Sequence, residues 1–203
     1  MPDVREHYVN NTSPAELEKI RLYLNFDMIA SPNYVLGIYD GDGSAFNLSG
    51  PAGSAEAERT FETYYKSKGI PFVPSEFNGR SDYGPFLEHG VPCGGLDTGA
   101  DGVKTEEEAA LFGGQVGAWH DPNYHSAADN VTNLALDAFE ITGKAIANSV
   151  AVYGKSWEGF PPRAGNGTAT PARALPHRIP GVLPPKTTYN HAKQASRRFR
   201  PSR

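Results

Sequence analysis

The chain has 203 residues, a formal net charge of −4, and 38% hydrophobic, 11% aromatic and 21% charged residues. That length suits one domain with an appendage better than two full domains. No apolar run approaches the roughly 18 residues of a membrane-spanning helix, and the start Met1-Pro2-Asp3-Val4-Arg5-Glu6 carries no apolar signal stretch. A single cysteine excludes an internal disulfide and a multi-cysteine zinc site.

In chain order, residues 21–29 read as a strand that becomes apolar on both faces, as in a sheet covered on both sides. The turn signal Ser31-Pro32-Asn33 separates it from a second strand at 34–40. Gly50-Pro51 opens a helix from about Ser54 to Ser67, with Ala55, Phe61, Tyr64 and Tyr65 as its apolar face and Lys68-Gly69 as its end. Residues 71–74 form a short extended segment and 81–88 a short helix. Residues 91–96 form a buried strand in which Cys93 reads as a small apolar residue. Glu106-Glu107-Glu108 after Lys104-Thr105 fits a capped helix N-terminus. A last helix spans 130–153, with Leu134, Leu136, Phe139, Ile141, Ala145, Ile146 and Val150 on one stripe. This alternation predicts an α/β fold.

The charge divides near residue 162. Beyond it lie nine basic residues, no acids, and much of the chain's proline; before it, 10 basic residues face 23 acidic ones. So much proline and charge, with so few large apolar residues, predicts a disordered basic tail over 161–203, beside a domain over 1–160. The tail lacks the aromatic interleaving of a nucleic-acid arm, so no nucleic-acid partner is expected.

Three places offer chemistry. Asp27 closes a buried strand, where open α/β sheets bind ligands, although a carboxylate there also caps turns. The polar loop 120–130 carries His120, Asp121, His125 and Asp129, which read equally as surface residues. Arg80, bounded by Gly79 and Ser81-Asp82, has the geometry to grip a carboxylate or a carbonyl, or to sit in an exposed ion pair.

Together and in order, Asn25-Phe26-Asp27-Met28-Ile29-Ala30-Ser31-Pro32-Asn33, Gly79-Arg80-Ser81-Asp82-Tyr83-Gly84-Pro85-Phe86, Gly90-Val91-Pro92-Cys93-Gly94-Gly95-Leu96 and Asp121-Pro122-Asn123-Tyr124-His125 resemble the di-zinc aminopeptidases of the aminopeptidase Y type. The resemblance covers about residues 7 to 153 and leaves the tail without a counterpart. It implies a three-layer sandwich with a mostly parallel central sheet flanked by helices. It implies two zinc ions and substrates that are peptides or proteins with a free N-terminus. By resemblance, Asp27 and His125 each ligate one of the zinc ions, Tyr124 hydrogen-bonds the tetrahedral oxyanion, and Arg80 lies near the substrate's amine end.

The sequence also departs from that family. The His-x-Asp that supplies a ligand and the bridging carboxylate is absent, as is the Glu-Glu that holds the general base; in the family both lie upstream. The N-terminal strands of the sheet are missing with them. The expectation is a C-terminal half that is inactive and poorly folded alone, from an active parent; a truncated or non-enzymatic binding protein is the alternative. Nothing in the sequence places His7, His89 or His120 near Asp27. A cysteine pair common in the family reads Asn123 and Ala128 here, which leaves the loop less constrained. Asp97 stands where the family commonly has an apolar pocket residue, which predicts a preference for basic or polar side chains over large apolar ones.

Glycosylation sequons occur at Asn10, Asn11, Asn47, Asn130 and Asn166, the second weakened by Pro14. Chance composition gives roughly 1.4. The excess points to a parent routed through a secretory pathway and secreted or vacuolar.

Overall fold

The computed structural model describes residues 4–163. Elements run as α1 (Val4–Asn11), α2 (Pro14–Leu17), β1 (Tyr23–Phe26), β2 (Gly37–Tyr39), α3 (Ser54–Lys68), β3 (Val73–Ser75), α4 (Gly84–Glu88), β4 (Cys93–Asp97), α5 (Glu106–Phe112), a 3-10 turn (Val131–Asn133) and α6 (Leu136–Lys155). The four strands form one sheet in the order β1-β4-β2-β3. The β1–β4 and β2–β3 pairs are parallel, and β2–β4 is antiparallel. The expected mostly parallel sheet with flanking helices is therefore present. Residues 164–203, which hold nearly all of the expected tail, lie outside the described residues.

Strand alternation divides the core into two layers. Tyr39 and Cys93 face one side, with Val9, Leu17, Phe77, Tyr83, Phe86, Leu87 and Val91. Ile38 and Leu96 face the other, with Leu36, Phe61, Tyr65 and Ala145. Cys93 is fully buried, and burial pushes its thiol up out of the reactive range. Helix α3 lies on β4 and β2 and packs against α6. Gly95 is the tight point of the sheet: a Cβ there would lie 1.8 Å from the Asn25 carbonyl oxygen.

Two local expectations are sharpened by the structure. Thr105 and Glu108 form a reciprocal capping box at the start of α5, which accounts for the acidic run. Helix α6 buries only part of the apolar stripe read from its sequence. Ala145 is buried and Ile141 and Ile146 pack against the core, whereas Leu134, Leu136, Phe139 and Val150 are exposed; the fully buried row is Ala138, Thr142, Ala145 and Ser149. The small row sits against the segment after β1, where the Thr142 hydroxyl donates to the Ile29 and Ala138 carbonyls.

Candidate active site

Parallel pairing sets Phe26 of β1 beside Leu96 of β4 in register. The residues at the carboxyl ends of both strands therefore emerge on one edge of the sheet, where open α/β folds gather ligands. Asp27 follows β1 and Asp97 ends β4, and both line a cavity of about 240 Å³. Arg80, Asp101, His120 and Tyr124 line it too.

Asp27 is oriented from below. Its Oδ2 accepts the Ser81 hydroxyl at 2.7 Å, and Ser81 Oγ in turn accepts the Asn25 side-chain amide at 2.9 Å. Asn25 is buried and shares a strand face with Asp27, two residues away. The same amide reaches the Tyr39 hydroxyl at 3.3 Å. Met28, next to Asp27, has φ 53°, a left-handed conformation uncommon for such a side chain. Its carbonyl is held by the Thr98 backbone N–H at 2.7 Å and by the Thr98 hydroxyl. Thr98 thus fixes the strained corner that presents Asp27.

Asp97 forms the floor. A Cβ on Gly37 would lie 2.3 Å from Ser75 Oγ and 2.9 Å from Asp97 Oδ2, so the absent side chain makes room for the carboxylate. Asp97 Oδ1 accepts the Gly99 N–H at 2.9 Å. Burial raises the Asp97 carboxyl above the usual range, opposed by Ser75 and that N–H.

At the rim, Arg80 Nη2 meets Asp101 Oδ2 at 2.7 Å. This bond raises the guanidinium's pKa, and it holds the Asp101 carboxyl below its ordinary range. His125 is exposed, adopts φ 56°, and stacks on Tyr124 with ring centroids 3.8 Å apart. It is not among the residues lining the cavity. The structure therefore brings Asp27, Arg80, Asp97 and Tyr124 to one cavity and leaves His125 stacked on Tyr124 outside its lining.

His120 is a correction. The fold brings it into the cavity with Asp27. Its ring packs over Gly99, where a Cβ would lie 2.5 Å from the imidazole, and its Nε2 lies 3.1 Å from Glu108 Oε2. Burial works to raise the Glu108 carboxyl, but the His120 bond and the Thr105 N–H outweigh it and keep Glu108 ionised. Nε2–H is therefore the donor. Sequence reasoning could not find this pair, because Glu108 also satisfies the capping pattern. Asp101 was missed as well; its only signal is its place just after the Gly95–Gly99 segment.

Zinc needs about four donors in tetrahedral geometry. Among the described residues, no third His, Cys, Asp or Glu atom joins Asp27 and His125 in a compact group. The group of three that does gather, within 4.8 Å, is Asp40, Asp42 and Glu58, away from this cavity. The donors present around Asp27 do not by themselves make up a zinc site.

The helix-flanked mixed sheet with a cavity at its strand ends has counterparts among solved structures. Comparison with solved structures finds that fold in a zinc aminopeptidase from Bacillus subtilis, with a TM-score of 0.53 at 20% identity, over 73% of this chain and 32% of that one. The profile of peptidase family M28 matches residues 6–150, and the chain belongs to that family. A probable leucine aminopeptidase 2 of Aspergillus fumigatus is 62% identical over 157 residues, covering 77% of this chain and 31% of that protein. The corresponding Aspergillus oryzae protein is 54% identical over 182 residues, 89% of this chain and 36% of its own length. The chain thus spans about a third of the length of these relatives.

Proposed function

We propose that the chain is part of a zinc-dependent metallo-aminopeptidase that releases N-terminal residues from peptides and proteins with a free N-terminus. The observation that supports this is the convergence of Asp27, Arg80, Asp97 and Tyr124 on one cavity at the strand ends. In this reading Asp27 and His125 each ligate one of two zinc ions, and the remaining donors and the general base come from other residues. When bound, the metal polarises the scissile carbonyl and lowers the pKa of its water. The chain's own groups do the rest. Ser81 and Asn25 fix the direction of the Asp27 carboxylate. The Tyr124 hydroxyl donates to the developing oxyanion. Arg80 is neutralised by Asp101, so the Asp27 carboxylate sets the sign of the cavity and favours a cationic amine end. Asp97 disfavours large apolar side chains in the specificity pocket, and Asp97→Phe shifts preference toward leucine substrates.

The test is hydrolysis of a leucine anilide by the 203-residue chain with added zinc, beside Asp27→Asn and His125→Ala. Activity that both substitutions abolish supports the reading and shows that the chain completes its own site. A folded, zinc-loaded chain with no activity favours the second reading, a non-catalytic binding protein. The outward placement of His125 speaks for that alternative.

The compartment belongs to the same proposal. Asn10, Asn47 and Asn130 are exposed, as glycan acceptors must be, while Asn166 lies outside the described residues. No helix among the described residues is long and apolar enough to cross a membrane. We read the parent as secreted or vacuolar, testable by an endoglycosidase-sensitive mass shift after expression through a secretory pathway.

A further inference from the structure

A second concavity, of about 480 Å³, lies between α3, α6 and the segment that follows. Its walls are aromatic. Tyr153 and Trp157 lie 5.0 Å apart, Trp157 and Phe160 5.1 Å apart, and Tyr64 contributes from α3. Glu158 stands among these rings, beside a Glu56 that is paired with Arg59 at 3.1 Å. The Tyr153 hydroxyl is tied to Thr60 at 2.9 Å and Arg21 stacks on Trp157 at 4.6 Å, so two of the rings are held in place. Rigid, spaced aromatic rings flanked by carboxylates are the surface that receives proline-rich, basic segments, which enter already extended and give up little entropy.

The chain carries such a segment. Residues 164–203 contain six prolines, eight basic residues and no acid, against 11 basic and 23 acidic residues before them. The stretch Arg178-Ile179-Pro180-Gly181-Val182-Leu183-Pro184-Pro185-Lys186 sets prolines and aliphatic residues between two cations. The described chain ends at the groove's own border. Phe160 lines it, and three residues later Arg163 is pinned by bonds from its guanidinium to the carbonyls of Leu17, Ile20 and His89. Anything beyond Arg163 is tethered beside the rings, at an effective concentration on the order of millimolar.

We propose that the aromatic groove between α3 and α6 is a docking site for the chain's own proline-rich basic segment around residues 178–186. The rings take the prolines, and Glu158 attracts a flanking cation. The inference is independent of the catalytic reading.

The test places a nitroxide on the full chain at Thr187→Cys; buried Cys93 does not compete for the label. Amide signals are then read by NMR. The expected result is selective signal loss at Tyr64, Ser67, Asn148 and Tyr153. It returns when Pro184→Ala, Pro185→Ala and Arg178→Ser are combined, substitutions that leave the described domain untouched. Tyr64→Ser, on the groove side, gives the same recovery. Loss spread over the whole acidic surface and unchanged by these substitutions, loss at the cavity lined by Asp27, or no loss at all overturns the proposal. So does loss that persists in unlabelled chains mixed with labelled ones, because the segment then docks between copies.

Discussion

Glu58 offers the sharpest quantitative check on the structure. Its carboxyl sits with those of Asp40 and Asp42, with ligand atoms of all three within 4.8 Å. It accepts the Asp42 N–H at 3.0 Å, and Glu62 lies one turn further along α3. The cation in this neighbourhood is Arg59, which is paired with Glu56. Burial first, then the neighbouring carboxylates, raise Glu58 from 4.5 to about 7. A carboxyl raised on folding holds its proton more tightly in the native state. Its contribution to stability is complete below about pH 4.5 and is lost as pH rises through 7. At about 1.36 kcal/mol per pH unit, the native state gives up about 3 kcal/mol across that window. Glu58→Gln keeps an acceptor for Asp42 N–H and cannot ionise. Between pH 5 and pH 8.5 the wild type should therefore lose about 2–3 kcal/mol relative to the variant. With a urea m-value on the order of 1–3 kcal/mol/M, the two midpoints separate by about 1–2 M at the higher pH. Equilibrium urea unfolding in chelator-containing buffer at both pH values reads this directly. Parallel loss of stability in the two proteins would refute the claim that Glu58 titrates near neutrality.

Other substitutions test the packing and the site. Phe61 is fully buried and meets Phe26 edge-on at 6.0 Å; Phe61→Ala should cost about 3–5 kcal/mol in unfolding free energy. Gly95→Ala drives a Cβ to 1.8 Å from a backbone carbonyl, so soluble expression should collapse, and a normally folded variant would show that the β1–β4 spacing is wrong. Thr105→Ala removes one half of the capping box and should lower stability by about 1 kcal/mol. Ser81→Ala removes the donor that aims Asp27; if Asp27 ligates zinc, affinity by titration calorimetry should fall about 10–100-fold. Unchanged affinity would separate Asp27 from the metal.

The sequence-legible part of this protein is the part fixed by local pattern. Strand alternation, the Gly69 stop of α3 and the Thr105 cap each have a cause within a few residues, and each is found where the pattern places it. The long helix α6 is legible in existence, but it begins at Leu136, six residues later than its pattern suggests, and its orientation is legible only in part. Periodicity finds its large apolar residues, whereas the row that the fold buries fully is small. The same limit governs the site. Asn25 and Asp27 share a strand face by spacing alone, but the Ser81 hydroxyl that couples them arrives from 54 residues beyond Asp27.

His120 shows why long-range placement escapes a linear reading. In sequence it is one polar residue in a polar loop, and Glu108 is one acid among three at a helix start. Their meeting depends on Gly99 and Gly102, whose missing side chains leave the space that the imidazole fills. Once seated there, His120 shares the Glu108 Oε2 with the Thr105 N–H, and α5 thereby anchors a residue that lines the cavity. A capping acid thus has two duties at once, and only the second concerns the site. Glu108→Gln separates them. The cap survives on the amide oxygen, while the His120 N–H, which shares that oxygen, exchanges a charged acceptor for a neutral one and holds the ring less firmly. Stability should then change by less than it does in Thr105→Ala, and the His120 imidazole NMR signals should broaden. Unbroadened signals would show that the backbone of the loop, and not α5, holds His120 in the cavity.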